Sequence, residues 1–122
     1  YVVTACHDGS ARVFEVATAL RRKAIGVHPK RSLTHGKRVT AVACSHTGQK
    51  IATSCWDSCA RIWDINEAEP VVNLKHPSAV YSVSLPSDDT RLLTACGDRY
   101  ARIFDVETEK EVCKWAHGDI VL

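Results

Sequence analysis

Thr53-Ser54-Cys55-Trp56-Asp57-Ser58-Cys59-Ala60-Arg61-Ile62-Trp63-Asp64-Ile65 is the stretch on which the fold turns. It reads as two strands around a turn, with β-branched and aromatic residues on one side and Asp57-Ser58 as the interruption. The same pattern recurs without a gap as Thr4-Ala5-Cys6-His7-Asp8-Gly9-Ser10-Ala11-Arg12-Val13-Phe14-Glu15-Val16 and as Thr94-Ala95-Cys96-Gly97-Asp98-Arg99-Tyr100-Ala101-Arg102-Ile103-Phe104-Asp105-Val106. Thr, Cys, Asp, Ala, Arg and an aromatic hold the same offsets in all three copies. Cys6 to Cys55 spans 49 residues and Cys55 to Cys96 spans 41, the longer interval carrying eight extra residues in the basic stretch 21–31. A second marker keeps the same beat: His35-Gly36, His76-Pro77 and His117-Gly118 follow one another at 41 residues. Each leads into a strand-like run, Val39–Cys44, Ala79–Leu85 and Ile120–Leu122. Two markers with one period of about 40 residues indicate a repeat array.

The reading is β throughout. Runs such as Lys50–Thr53, Arg91–Thr94, Ala60–Ile65 and Val71–Leu74 are rich in β-branched residues and alternate with turn signals at Thr47-Gly48, Asp8-Gly9, Asn66-Glu67 and Pro86-Ser87-Asp88-Asp89. Several runs are apolar on both faces, as in a sheet sandwiched between neighbours. The last run of each unit, 71–75 and 111–115, mixes in Lys and other polar residues, which suits an outer edge that must not recruit foreign strands. No helical period is present. About twelve short strands and no helix longer than a turn or two are expected.

The recurring residues resemble the WD-repeat family: the His-Gly start, the Asp in the turn, and Trp63-Asp64 at the strand end match it, and the resemblance covers essentially the whole chain. It implies an all-β fold, a partial β-propeller of four-stranded antiparallel blades set radially around a channel. The units then fall at 1–33 (rest of a first blade), 34–75, 76–116, and 117–122 (start of a next blade). Three blades do not close a ring, which takes about 4–8. An arc of a larger propeller, or blades supplied by other chains, is therefore expected. Opening on Tyr1 inside a strand-like run, the chain reads as a piece of a longer one. The resemblance further implies a hydrogen-bonded tetrad in each blade, here His35, Thr53, Asp57 and Trp63. In it the indole donates to the Thr hydroxyl, the hydroxyl to the imidazole, and the imidazole to a buried carboxylate. In the next blade His76, Thr94 and Asp98 match while Phe104 replaces Trp; the first blade has Thr4, Asp8 and Phe14. A complete tetrad is expected in the middle blade alone. His76-Pro77 departs from the usual His-Gly start.

Composition narrows the function classes. The chain of 122 residues carries a net charge of +2, with 45% hydrophobic and 25% charged residues, which is ordinary globular material. That charge is too small to argue for nucleic acid or an anionic membrane as partner, and no apolar run approaches the ~20 residues of a membrane span. The six cysteines contain no CxxC pair, and three of them share one repeat position. Equivalent positions in successive blades lie too far apart for a disulfide, which needs Cα atoms within about 7 Å. Cys55 and Cys59 could face each other across a hairpin, yet nothing demands it. Reduced, buried thiols are expected, and with them an intracellular protein, cytoplasmic or nuclear. A His-Asp-Thr set could pass for a catalytic triad, but one active site does not need several copies. Zinc sites draw on closely paired ligands, and phosphate loops on GxGxxG or GxxxxGK; the chain has neither. No catalytic residue, metal or cofactor is expected. The basic cluster Arg21-Arg22-Lys23 with Lys30-Arg31 lacks interleaved aromatics and reads as a solvated insertion, with an RNA or acidic partner as the sharper alternative.

The resemblance thus implies a non-enzymatic scaffold that binds other proteins or peptides, alongside the remaining blades of its own propeller. A recognition or regulatory module of a larger enzyme or ribonucleoprotein is the alternative. Trp56 stands out because it precedes the turn Asp where the other copies have His7 and Gly97. A large aromatic at a turn either anchors a partner or caps its own blade. The family arrangement sets it near Lys37, Arg38 and Tyr81, which complete the candidate protein-binding set; Tyr100 is a weaker candidate.

Overall fold

A computed structural model of the chain describes residues 1–17 and 28–122, so the basic stretch expected at 21–31 lies outside the described residues except for 28–31. Eleven strands are described: β1 Val2–Ala5, β2 Ser10–Phe14, β3 Arg31–Thr34, β4 Val39–Cys44, β5 Lys50–Cys55, β6 Cys59–Asp64, β7 Pro70–Lys75, β8 Val80–Ser84, β9 Arg91–Cys96, β10 Tyr100–Asp105 and β11 Glu111–Ala116. They form a three-stranded sheet β1-β2-β3 and two four-stranded sheets, β4-β5-β6-β7 and β8-β9-β10-β11, with every pairing antiparallel and between chain neighbours. These are blades of a partial β-propeller. The last strand expected, at Ile120–Leu122, is not formed. A strand exists by sharing a ladder of backbone hydrogen bonds with a neighbour, and no described strand lies alongside this segment. It makes one such contact, Val121 N–H to Cys96 O at 3.4 Å, the counterpart of Val39 N–H to Cys6 O at 3.2 Å.

Alternation within the strands explains how the blades stack. On β5, Ile51 and Thr53 face the first blade while Ala52 and Ser54 face the third, and all four are buried. On β9, Leu92 and Thr94 are buried against the second blade, whereas Leu93 on the other face is 37% exposed. One core lies between the first and second blades, from Ala11, Val13 and Leu33 against Val39, Ile51 and Trp63. The other lies between the second and third, from Ala52, Ala60, Ile62 and Leu74 against Val80, Val83, Leu92 and Phe104. Small residues on one face and large ones on the other let the sheets approach closely. Full burial of each large apolar side chain contributes about 1.5–3 kcal/mol. Thr40 adds a polar stitch, donating its hydroxyl to Val80 O across the junction at 2.6 Å while lying 2.7 Å from Ser54 Oγ.

The β1–β2, β5–β6 and β9–β10 turns all contain a left-handed residue: Gly9 at φ 86°, Ser58 at φ 68° and Arg99 at φ 73°. Gly9 has a further reason to be glycine, since a Cβ there would lie 3.1 Å from His35 O and 3.2 Å from Lys37 O. The loop entering each next blade docks on these turns through His35 N–H to Gly9 O, His76 N–H to Ser58 O and His117 N–H to Arg99 O, each 2.8 Å. Pro77 leaves that contact intact because the docking donor is the preceding His76 N–H. All six cysteines are free thiols; Cys55 and Cys59 are both buried, while Cys44 is exposed.

Candidate functional site

The turns that carry Asp8, Asp57 and Asp98 share one end of the blades with the loops that carry His35 and His76. A column of polar groups supports this end from within. In the middle blade the Trp63 indole donates to Thr53 Oγ1 at 2.9 Å, and Thr53 Oγ1 lies 2.8 Å from His35 Nε2. His35 Nδ1 lies 3.0 Å from Leu33 O. A carbonyl only accepts, so Nδ1 carries the proton, Nε2 accepts, and the Thr53 hydroxyl donates to it. Burial pushes the His35 pKa down and keeps the ring neutral, consistent with that assignment. The third blade repeats the arrangement, with His76 Nε2 2.9 Å from Thr94 Oγ1 and Nδ1 3.1 Å from Leu74 O. Phe104 stands edge-on to the His76 ring at 5.2 Å, where Trp63 is tilted against His35 at the same distance.

The fourth link expected of the tetrad is different. The imidazole proton goes to the Leu33 carbonyl, and Asp57 is held by Arg61, with Oδ2 at 2.7 Å and Oδ1 at 3.2 Å. Asp98 likewise takes both terminal nitrogens of Arg102, and Asp8 pairs with Arg12. The guanidinium reaches from four residues on and offers a two-pronged, charge-assisted match that a neutral imidazole does not. Each Asp also closes its own turn by accepting a backbone N–H, from Ser10, Cys59 or Tyr100. Burial would raise the Asp57 pKa, but Arg61 together with the bonds from Cys55 and the Cys59 N–H outweighs it and the net shift is downward. Asp98 is lowered to about 2, chiefly by its bonds to Arg102. The Arg partners were visible as a residue held four positions after each Asp, yet the tetrad reading gave them no role. The repeated cysteines have one as well: Cys55 Sγ–H donates to Lys37 O at 3.1 Å and Cys96 Sγ–H to Ser78 O at 3.3 Å, tying turn to loop. Burial pushes both thiols up and keeps them protonated.

This pairing changes what each Asp substitution does. The Arg61 side chain is 14% exposed and has Asp57 as its described ion-pair partner, whereas Arg102, 7% exposed, also holds Glu111 at 3.1 Å. Asp57→Ala leaves a largely buried guanidinium unpaired and is expected to cost about 1–3 kcal/mol. Asp98→Ala is expected to cost less because Glu111 remains. Thermal denaturation of the two variants checks the order, and a larger loss for Asp98→Ala contradicts it.

On the outer surface of this end lies Trp56, 43% exposed, its backbone N–H bonded to Arg38 O at 3.0 Å. The Arg38 guanidinium sits 5.3 Å from the centre of its ring, a cation–π geometry. Lys37 and Arg38 are exposed, and among the described ion pairs neither takes part in one. Tyr81 goes elsewhere. It is half-buried against Gly97, where an added Cβ would meet its ring at 3.1 Å, so glycine there makes room for the tyrosine. The Arg102 and Lys114 cations lie 5.3 and 5.2 Å from the centre of the Tyr100 ring.

With this geometry in view, comparison with known families gives one match. The model described as WD domain, G-beta repeat, matches residues 28–64 and 68–105, more than half of the chain. A search of curated proteins yields no match.

Proposed function

Because the chain belongs to the WD-repeat family, whose members in general are protein-interaction scaffolds, we propose that it binds a partner protein through the rim patch of Trp56 and Arg38, bordered by Lys37. The observation that carries the reading is Trp56 itself: a large ring 43% exposed, at a position where the other blades hold His7 and Gly97. An indole flanked by cations that take part in none of the described ion pairs suits a partner segment with apolar and acidic residues. The ring supplies burial, and the charges direct approach and orientation. Tyr81, packed against Gly97 in the next blade, takes no part in this patch. The repeated turn cysteines, tied as thiols to loop carbonyls, accord with an intracellular, reducing setting. The scaffold acts in a multiprotein complex, by presenting loops and without chemistry of its own.

Titration with a short acidic peptide bearing a leucine or phenylalanine tests this. Trp56→Ala is expected to weaken binding by more than about 1 kcal/mol while leaving the melting temperature nearly unchanged. Intact binding with a large drop in melting temperature would show that Trp56 only caps its blade.

A further inference from the structure

At the opposite end of the blades, the junction of the second and third opens into a groove of about 740 Å³. We propose that this groove receives an extended peptide segment of a partner protein in which basic residues flank an apolar one. Its floor is apolar: Val72 and Val106 lie in it and Val71, 54% exposed, lies at its edge. Its walls are anionic, from Asp89, Glu107 and Glu109. Asp88 and Asp105 add charge while closing turns, accepting from Thr90 N–H at 3.1 Å and Thr108 N–H at 2.8 Å. Those bonds hold both carboxyls below the usual range, so they are ionised at neutral pH. Lys50 also lines the groove and Arg91 acts on Asp88 and Asp105 from nearby, but neither forms one of the described ion pairs and the carboxylates outnumber them, so the groove stays net negative.

Asp89 Oδ1 in that wall is buried and no donor among the described residues reaches it, a costly arrangement for a carboxylate oxygen. Size and floor select the kind of ligand. The volume falls within the roughly 300–1,000 Å³ of sites that enclose organic groups, far more than a bare cation fills, and the valine floor rewards an aliphatic side chain. The two ends of the blades therefore carry opposite sign, cationic around Arg38 and anionic here. A basic segment seated in the groove would not compete with an acidic one at the rim, so this inference stands or falls apart from the Trp56 reading.

Nuclear magnetic resonance titration of the isotope-labelled chain with the peptide acetyl-Lys-Leu-Arg-Val-Lys-amide tests it. Saturable shifts are expected at Val71–Val72, Asp88–Thr90 and Val106–Glu109. Affinity should fall about tenfold in Glu107→Gln/Glu109→Gln and in Asp89→Asn, all conservative changes at surface loops. A peptide with serines in place of leucine and valine should bind more weakly. Any of three results overturns the proposal: no saturable shift at the groove, equal binding of the serine peptide, or calcium chloride reproducing the shifts while the peptide does not.

Discussion

Trp63→Ala is expected to cost about 3–5 kcal/mol, the range for emptying a large aromatic site in a core. The ring is 2% exposed and fills the junction between the first and second blades with Val13, Leu33 and Ile51. Removing it opens a cavity at an interface, withdraws the donor to Thr53, and strips the His35 ring of the neighbour 5.2 Å away. Trp63→Phe should be far milder, about 1 kcal/mol, since it forfeits mainly one net hydrogen bond and some ring area. The third blade already runs this way, with Phe104 against His76 and Thr94 bonded to the imidazole alone. Denaturant unfolding of the two variants separates burial from hydrogen bonding. If Phe costs as much as Ala, the indole donor and not the ring holds the junction.

Thr53→Val is the second large loss expected, about 2–5 kcal/mol, although it changes almost no volume. Thr53 is fully buried and its hydroxyl serves two partners, accepting from Trp63 Nε1 and donating to His35 Nε2. Valine leaves both stranded in a dry site, and each unsatisfied group costs about 1–3 kcal/mol. Thr94→Val strands only His76 Nε2, so about 1–3 kcal/mol is expected there. Midpoints of denaturant unfolding at unchanged slope would give the difference directly. Equal losses at the two sites would mean that the Trp63 bond adds nothing.

Much of this was legible in the residues because a repeat reports each position three times. Thr, Cys, Asp and Arg at fixed offsets placed the turns, and runs apolar on both faces anticipated sheets sandwiched between neighbours, as β5 is. The exposed Leu93 shows the limit of that argument, since the same pattern on β9 is covered on one face only by the described residues. Pairing of polar groups was harder to read. Which acceptor a histidine proton takes depends on ångström-scale competition, here between a carbonyl two residues back and a carboxylate already claimed by Arg61. Spacing names the residues in the column but not the order of its bonds. The groove at the far end was likewise not visible, because its acidic walls and valine floor come from loops and strands of two blades.

Two tryptophans of one blade take opposite roles, and exchange of their indole protons tests that most directly. The Trp63 indole N–H, buried and bonded to Thr53, should exchange only when the blades open. The Trp56 indole N–H should exchange rapidly, and its resonance should move when the acidic apolar peptide is added. A protected Trp56 signal that ignores the peptide, or a Trp63 signal that exchanges as fast as an exposed one, would contradict it.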